Sequence, residues 1–281
     1  MPRRTLIPTF VAALIATAIG IFLGLGAIDW FPPQASVQAH NTDRLYYVLV
    51  VVTVPIFVLV VTVILYSVWQ FRMRPGQELQ DGAPIHGDTR LEFIWTVVPS
   101  ILILAMVAYS FVVLHENERK PAGPELQVGV TGQQFFWTFT YPAATHGGGP
   151  VTSDVLYLPD NGSVLFNMVS KDVIHAFWIP AFRLQEDVVP GVTTHYRVTP
   201  DRLGHYEVVC NLLCGPGHSL MRADVVVEPA AEFTSWLSRE RAVAAKSGPS
   251  LGPGSTTPGT NPAIASTGHT NVTSFVSGGA G

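Results

Sequence analysis

Both cysteines of the chain lie in one twelve-residue stretch, CNLLCGPGHSLM, which also holds a histidine and a methionine. Cys210, Cys214, His218 and Met221 form the pattern C-x3-C-x3-H-x2-M. Thiolate, imidazole and thioether together are a soft ligand set that suits copper, whereas zinc sites seldom include methionine and magnesium or calcium prefers oxygen. The spacing therefore predicts a copper site.

The alternative for two cysteines in an oxidising compartment is a disulfide. A bond between Cys210 and Cys214 would close a very small loop and would give little entropic stabilisation. It would also leave the regular positions of His218 and Met221 unexplained.

A mononuclear blue-copper site needs one thiolate, two imidazoles and a weak axial methionine, but this loop holds two thiols and one imidazole. The candidates for a further imidazole are His146, His175, His195 and His205. His175 lies in the apolar and aromatic segment DVIHAFWIP, where an unpaired imidazole is costly. A lone histidine of this kind is more often a hydrogen-bonded core residue, so the residues alone leave both interpretations open.

Short segments rich in Val, Phe, Tyr and Thr surround the loop. Segments such as QFFWTFTY and SVLFNMVS are separated by turn signals such as PDNG and VPG. This pattern predicts a β-sandwich or small Greek-key barrel over residues 124–229. The loop joins two predicted strands, HYEVVC and RADVVV, and the end of a sandwich is a rigid place to present several ligands.

Beyond the sandwich, AAEFTSWLSRERAVAAK predicts an amphipathic helix over residues 230–246. From 247 to 281, Gly, Ser, Thr, Pro and Asn dominate, which predicts a disordered tail. The sequence contains no C-x-x-C-H, so it encodes no covalently attached c-type haem.

The chain is 48% hydrophobic and only 13% charged, which indicates that part of it lies in lipid. Three apolar blocks predict membrane helices over residues 1–28, 45–71 and 93–114. The stretches Thr5–Ile28, Leu45–Trp69 and Phe93–Leu114 within them contain no Asp, Glu, Lys or Arg. The flanking arginines place the N-terminus and the 72–90 loop in the cytoplasm, and everything after Leu114 outside. The first block is either a retained helix, which we favour for its length, or a secretory signal cleaved near Val37-Gln38-Ala39.

From about Asp29 to Pro229 the chain resembles subunit II of a haem–copper cytochrome c oxidase. The resemblance is carried by DVIHAFWIP, CNLLCGPGHSLM, VTGQQFFWTFTYP and IHGDTRLEFIWTVVP. It implies a protein of the bacterial plasma membrane, anchored by a transmembrane hairpin plus one extra N-terminal hydrophobic segment. The outer part would be an all-β, cupredoxin-like Greek-key sandwich.

The resemblance also implies a binuclear CuA centre with two copper ions and no haem in this chain. Its ligands would be the bridging thiolates of Cys210 and Cys214, the imidazoles of His175 and His218, the thioether of Met221 and the backbone carbonyl of Leu212. Many members carry at the position of Leu212 a glutamate that helps to bind magnesium. Leucine cannot ligate a cation, so no magnesium site is predicted.

Two further roles follow from the resemblance. Many members have a tryptophan at the position of Phe135, taken as the electron entry point, so Phe135, Phe136 and Trp137 are the candidates here. Strand packing is the alternative role for these rings. Glu92 corresponds to a glutamate at the entrance of a proton channel into subunit I, and its alternative role is a solvated residue at a helix start.

The function implied is electron entry. The chain would accept electrons from cytochrome c and pass them to subunit I, where oxygen is reduced to water, with subunit III as a further partner and no nucleic acid involved. The predicted sandwich has ten acidic and five basic residues between Glu125 and Glu228, which suits a basic donor. The alternatives are a CuA subunit of a nitric oxide reductase and a membrane-tethered mononuclear copper protein. The identity of the partner chain would distinguish a nitric oxide reductase from an oxidase. The number of copper ions per chain would distinguish a mononuclear copper protein from both.

Overall fold

The computed structural model describes residues 3–27, 29–73, 75–76, 84, 87–143 and 149–247. His146 and the predicted tail beyond Ser247 lie outside these residues. Within them, three long apolar helices precede a sandwich of two β-sheets, and a fourth helix follows it. The predicted fold class, membrane helices followed by a β-sandwich, is confirmed.

The three N-terminal helices are α1 (Arg3–Phe22), which continues as a π-helical turn over Leu23–Ala27, α2 (Val37–Phe71) and α3 (Thr89–Glu118). The segments Ile7–Gly26, Val37–Phe71 and Thr89–Glu118 are long and apolar enough to cross a membrane. Their side chains are mostly exposed, as expected of helices whose surface faces lipid.

Helix α2 begins eight residues before the apolar block that predicted it. The Ser36 hydroxyl accepts a hydrogen bond from the Ala39 N–H at 3.0 Å and caps the helix. Ala39 is fully buried, so the first turn of α2, which contains the candidate cleavage site, is packed within the protein. Hydropathy does not detect this turn because a polar cap and tertiary contacts form it.

Helix α1 packs on α2 through a G-x-x-x-G pair. A Cβ atom at Gly20 would lie 2.7 Å from Val54 Cγ1, and one at Gly24 would lie 2.6 Å from Val50 Cγ1. The two glycines therefore allow the backbones to approach closely, as small residues do between membrane helices.

Within the described part of residues 124–229, ten strands form the sandwich. They are β1 (Leu126–Gln133), β2 (Phe136–Tyr141), β3 (Val151–Ser153), β4 (Leu156–Pro159), β5 (Val164–Ser170), β6 (His175–Ile179), β7 (Leu184–Val188), β8 (Thr194–Val198), β9 (Gly204–Cys210) and β10 (Arg222–Glu228). One sheet has the order β3-β2-β1-β5-β8 and the other β4-β10-β9-β6-β7. The pairs β1–β5 and β4–β10 are parallel and the rest are antiparallel.

The core between the sheets is rich in aromatic rings. Phe139, Phe166 and Phe177 are fully buried, and Phe177 lies 5.4 Å from Phe166 and 6.4 Å from Phe139 between ring centroids. Burying such a side chain stabilises the fold by about 1.5–3 kcal/mol. Because β6 carries both Phe177 and His175, this packing fixes the strand that presents the histidine.

Helix α4 (Ala230–Ser247) packs against β3 and β4. Phe233 and Leu237 are buried, and Trp236 stacks on Tyr157 with centroids 4.2 Å apart and planes at 28°. The helix therefore covers the side of the sandwich where both sheets end.

Two arginines attach the sandwich to the membrane helices. Arg183, directly before β7, forms a bidentate pair with Asp43 of α2, with both N–O distances at 2.8 Å, Asp43 buried and the Arg183 side chain 10% exposed. Arg197 of β8 pairs with Glu125 and donates to the Glu118 carbonyl at the end of α3 at 2.6 Å. The sandwich is thus held at the outer ends of both hairpin helices.

Candidate metal centre

Neighbouring strands of one sheet bring the predicted ligands together. His175 begins β6 and Cys210 ends β9, and the two strands pair through Phe177 and Cys210. The backbone N–H of Cys210 donates to the Met221 carbonyl at 3.0 Å, which closes the base of the loop where β10 begins. The loop is therefore fixed at both ends by the sheet.

The ligand atoms form one compact group around the two sulfurs. Cys210 Sγ lies 3.8 Å from His175 Nδ1 and 3.8 Å from Cys214 Sγ. Cys214 Sγ lies 3.6 Å from His218 Nδ1 and 3.8 Å from Met221 Sδ. Each sulfur therefore has its own imidazole, and the thioether lies on the Cys214 side.

Leu212 contributes its backbone to this group. Its carbonyl oxygen lies 3.2 Å from Cys210 Sγ, whereas its side chain is 39% exposed. Side-chain identity at this position is therefore free with respect to the cluster.

The two cysteines are free and buried. Their sulfurs are 3.8 Å apart, whereas a disulfide bond measures about 2.05 Å. Burial, together with the neighbouring Cys210 sulfur, raises the pKa of the Cys214 thiol to about 11. A metal ion that binds Cys214 at neutral pH must therefore displace its proton.

The arrangement fits a soft metal. Half of the 3.8 Å separation between the sulfurs is shorter than a metal–thiolate bond of about 2.3 Å, so one ion can contact both. His175 and Met221 are fully buried and the thiols nearly so, which keeps water from the donors. Two thiols, two imidazoles and a thioether are the donor chemistry of copper.

The other described histidine candidates lie away from this group. His195 on β8 is exposed and its Nδ1 lies 2.8 Å from Asn167 Oδ1, and His205 on β9 is exposed as well. Of the candidates that the structure describes, His175 is the one that joins the cluster.

Comparison with protein-family models identifies the family of this chain. Residues 22–113 match the family model for the transmembrane domain of cytochrome c oxidase subunit II, and residues 150–229 match the model for its periplasmic domain. Together the two models match more than half of the chain. The chain belongs to the cytochrome c oxidase subunit II family.

Full-length relatives agree with this assignment. The chain is 29% identical to cytochrome c oxidase subunit 2 of Thermostichus vulcanus, over 84% of this chain and 86% of the relative. It is also 29% identical to the alternative cytochrome c oxidase subunit 2 of Bradyrhizobium diazoefficiens, over 84% and 93%. The periplasmic domain of subunit II of cytochrome oxidase from Bradyrhizobium japonicum is 26% identical, over 45% of this chain and 98% of that one, with a TM-score of 0.39.

As a member of the cytochrome c oxidase subunit II family, the chain is a component of an oxidase complex. It is a membrane protein whose C-terminal sandwich lies outside the membrane, as the arginine distribution predicted. The sandwich is a CuA-type domain of this family, and its cluster of His175, Cys210 and Cys214 is consistent with copper binding.

One neighbour of the cluster was not predicted from the sequence. Asp172 Oδ1 lies 2.8 Å from His175 Nε2, and the carboxylate also accepts from the N–H groups of Gln134 and Val173, both at 2.7 Å. Burial raises the pKa of Asp172, but these hydrogen bonds outweigh it and lower the pKa to about 2. With Nε2 held by a carboxylate, His175 presents Nδ1 to the sulfurs. The three-residue spacing of Asp172 and His175 is the sequence signal for this contact.

The three candidates for electron entry into this family member occupy different places. The loop between β9 and β10, residues 211–221, is called the copper loop below. Phe135 lies so close to it that a Cβ atom at Gly217 would be 2.5 Å from Phe135 Cδ2. Phe136 is 46% exposed, whereas Trp137 is buried, with its centroid 5.9 Å from His175 and 5.4 Å from Phe177. Phe135 is therefore the ring that packs on the loop, and Trp137 belongs to the core.

Glu92 is separate from the sandwich. It is exposed in the first turn of α3, which Asp88 caps by accepting from the N–H groups of Arg90 and Leu91. The position suits both the channel role and the alternative of a carboxylate favoured by the helix dipole.

Proposed function

We propose that the chain is the electron-entry subunit of its oxidase. It accepts electrons one at a time from a c-type cytochrome at a binuclear CuA centre and passes them to subunit I, where oxygen is reduced to water. The observation that carries this proposal is the pair of free cysteine sulfurs 3.8 Å apart, each with its own imidazole within 3.8 Å.

The distances between the donor atoms support the following ligand set. Cys210 and Cys214 would be shared by the two metal ions, and His175 and His218 would each hold one of them. Met221 would be a ligand on the Cys214 side, and the Leu212 carbonyl on the Cys210 side. A bound copper pair supplies one-electron redox chemistry. The residues hold the donor atoms in place, since β6, β9 and β10 fix the segments that carry them, and a rigid cage limits rearrangement when the charge changes.

Other chain segments have supporting roles in this proposal. Phe135 is the entry point, because its ring packs directly on the copper loop. The acidic surface of the sandwich attracts a basic cytochrome c. Subunits I and III are the partners in the membrane, and Glu92 marks the entrance of a proton channel into subunit I. We propose no magnesium site at Leu212.

The test is copper quantification and electron paramagnetic resonance on the purified full-length chain in detergent. We expect two copper ions per chain and a delocalised mixed-valence signal. One copper ion with a blue-site spectrum would replace this proposal by the mononuclear copper protein. Oxygen or nitric oxide consumption by the complex isolated with its own partner chain separates the oxidase from the nitric oxide reductase.

A further inference from the structure

The turn between β1 and β2 contacts both the His175 side and the Cys214 side of the ligand cluster. Gln134 lies in this turn, and its backbone N–H donates to Asp172 Oδ2 at 2.7 Å. Its side-chain Nε2 donates to the backbone carbonyl of Cys214. One residue therefore contacts the carboxylate that holds His175 and the main chain of a ligand cysteine.

These two contacts add to the pairing of β6 with β9, which already joins the strand of His175 to the strand of Cys210. His175 begins β6, Asp172 lies in the connection between β5 and β6, and Cys214 lies in the loop between β9 and β10. Strands β6, β9 and β10 belong to one sheet. The turn that carries Gln134 belongs to the opposite sheet. Gln134 thus joins the two sheets at the end of the sandwich where the ligands converge.

The backbone of the copper loop is shaped around this contact. Gly215, directly after the carbonyl that Gln134 holds, has φ +139°, a conformation that other residues rarely adopt. A Cβ atom there would lie 2.8 Å from Gln134 Nε2 and 3.1 Å from the Phe135 ring. A glycine in this position has little conformational preference of its own, so hydrogen bonds hold it: the one from Gln134 to the Cys214 carbonyl and, within the loop, the one from the His218 N–H to the Gly215 carbonyl.

We propose that Gln134 is a positioning residue for the metal centre. By holding the Cys214 carbonyl and, through Asp172, the His175 ring, it fixes the two halves of the ligand set relative to each other before metal binds. The inference rests on the proposed function for the identity of the metal. The order of the loop in the metal-free chain does not depend on that identity.

The experiment compares Gln134→Met with Gln127→Met in the full-length chain. Methionine has similar length but cannot donate, and the backbone N–H to Asp172 remains. Gln127 is the matched control, because it is an exposed amide on the same β1–β2 hairpin and accepts from Asn167 Nδ2 at 2.9 Å, outside the cluster. Gln134→Glu, which keeps the shape but loses the donor, is the second variant.

The first measurement is hydrogen–deuterium exchange of residues 211–217 in the metal-free chain. Loss of one hydrogen bond should speed exchange of this loop about fivefold in both Gln134 variants and leave Gln127→Met at the wild-type rate. Equal rates in Gln134→Met and wild type would overturn the proposal. Equal acceleration in Gln134→Met and Gln127→Met would also overturn it, since the effect would then be general loosening.

The second measurement is the reduction potential and paramagnetic spectrum after loading with copper. We expect Gln134→Met to bind as much copper as wild type with a shifted potential and broadened hyperfine pattern, and Gln127→Met to match wild type. A Gln134→Met spectrum and potential identical to wild type would contradict a positioning role. If wild type itself lacks the mixed-valence signal, the proposed function fails, and the exchange experiment still decides the role of Gln134.

Discussion

The two cysteine sulfurs of the cluster have different neighbours, so single substitutions should separate their proposed contributions to the metal centre. Met221 is fully buried with Sδ 3.8 Å from Cys214 Sγ, and leucine nearly matches its volume. We expect Met221→Leu to keep the fold and the centre but to shift the reduction potential, because a weak axial donor is removed. Redox titration of the copper-loaded chain measures the shift, and an unchanged potential would exclude Met221 as a ligand.

Substitution of Cys210 should remove the metal centre, whereas substitution of Met221 should only shift its potential. Its sulfur lies within 3.8 Å of His175 Nδ1, Cys214 Sγ and the Leu212 carbonyl, and serine offers no soft bridge in its place. Cys210→Ser should therefore abolish the mixed-valence signal in electron paramagnetic resonance. Persistence of that signal in the variant would refute the ligand assignment.

Asp172 should affect metal binding through its contact with His175. Asp172→Ala removes the carboxylate 2.8 Å from Nε2, and loss of such a partner typically costs about 10–100-fold in metal affinity. Competition with a copper chelator measures this loss, and Asp172→Asn should lose less because its amide oxygen still accepts. Asp154→Ala, an exposed carboxylate in the β3–β4 turn, is the control. Equal affinities for Asp172→Ala and the control would exclude this role.

At the scale of single residues, the sequence predicts which side chains could bind metal better than it predicts the residues that contact them. The loop spacing indicates copper, whereas the residues around His175 left its role open, and the structure brings His175 and the loop residues together. The contacts of Gln134 with Asp172 and Cys214 span 38 and 80 residues of sequence and depend on how two sheets stack. No local pattern encodes such contacts, so they require coordinates.

The strands and helices can be predicted from the spacing of their apolar residues and from the turn residues between them. Their exact ends depend on capping hydrogen bonds and on packing against other elements. Strand β5 was visible in SVLFNMVS, but the first turn of α2 depends on Ser36 and on burial of Ala39. A hydropathy window detects neither the cap nor the burial. The same limit applies to α4, whose amphipathic pattern predicts a helix but not the surface that it covers.

Helix α4 should stabilise the sandwich without affecting the metal centre. Trp236 stacks on Tyr157 at 4.2 Å and lies 5.1 Å from Tyr141, at β2 and β4, whereas the ligands belong to β6, β9 and the loop before β10. Trp236→Ala should lower the free energy of unfolding by about 2 kcal/mol and Trp236→Phe by less. Chemical denaturation measures both, and a changed copper spectrum in Trp236→Ala would contradict this separation.

At the scale of the whole molecule, the proposed electron transfer to a partner in the membrane would require the sandwich to keep a fixed place above its helices. The linker before α2 docks on the sandwich, with the Ala35 N–H bonded to the Ala181 carbonyl and the Val37 N–H to the Thr199 carbonyl, both at 3.0 Å. Arg183 adds the bidentate pair with Asp43, and its guanidinium lies 5.0 Å from the Phe31 ring centroid. The strand β6 that presents His175 ends shortly before this arginine, so the same segment carries a ligand and an anchor.

Removal of Arg183 should therefore loosen the anchor. A buried ion pair that loses one partner costs about 3–5 kcal/mol, because the remaining Asp43 charge stays buried. We expect Arg183→Met to expose residues 29–44 to limited proteolysis and to slow electron transfer into subunit I of the assembled complex, with the copper spectrum unchanged. Arg222→Met, which breaks the exposed pair with Glu207, should change neither, since such pairs contribute about 0–1 kcal/mol. If both variants resist proteolysis like wild type, the backbone contacts of the linker hold the sandwich in place without the ion pair.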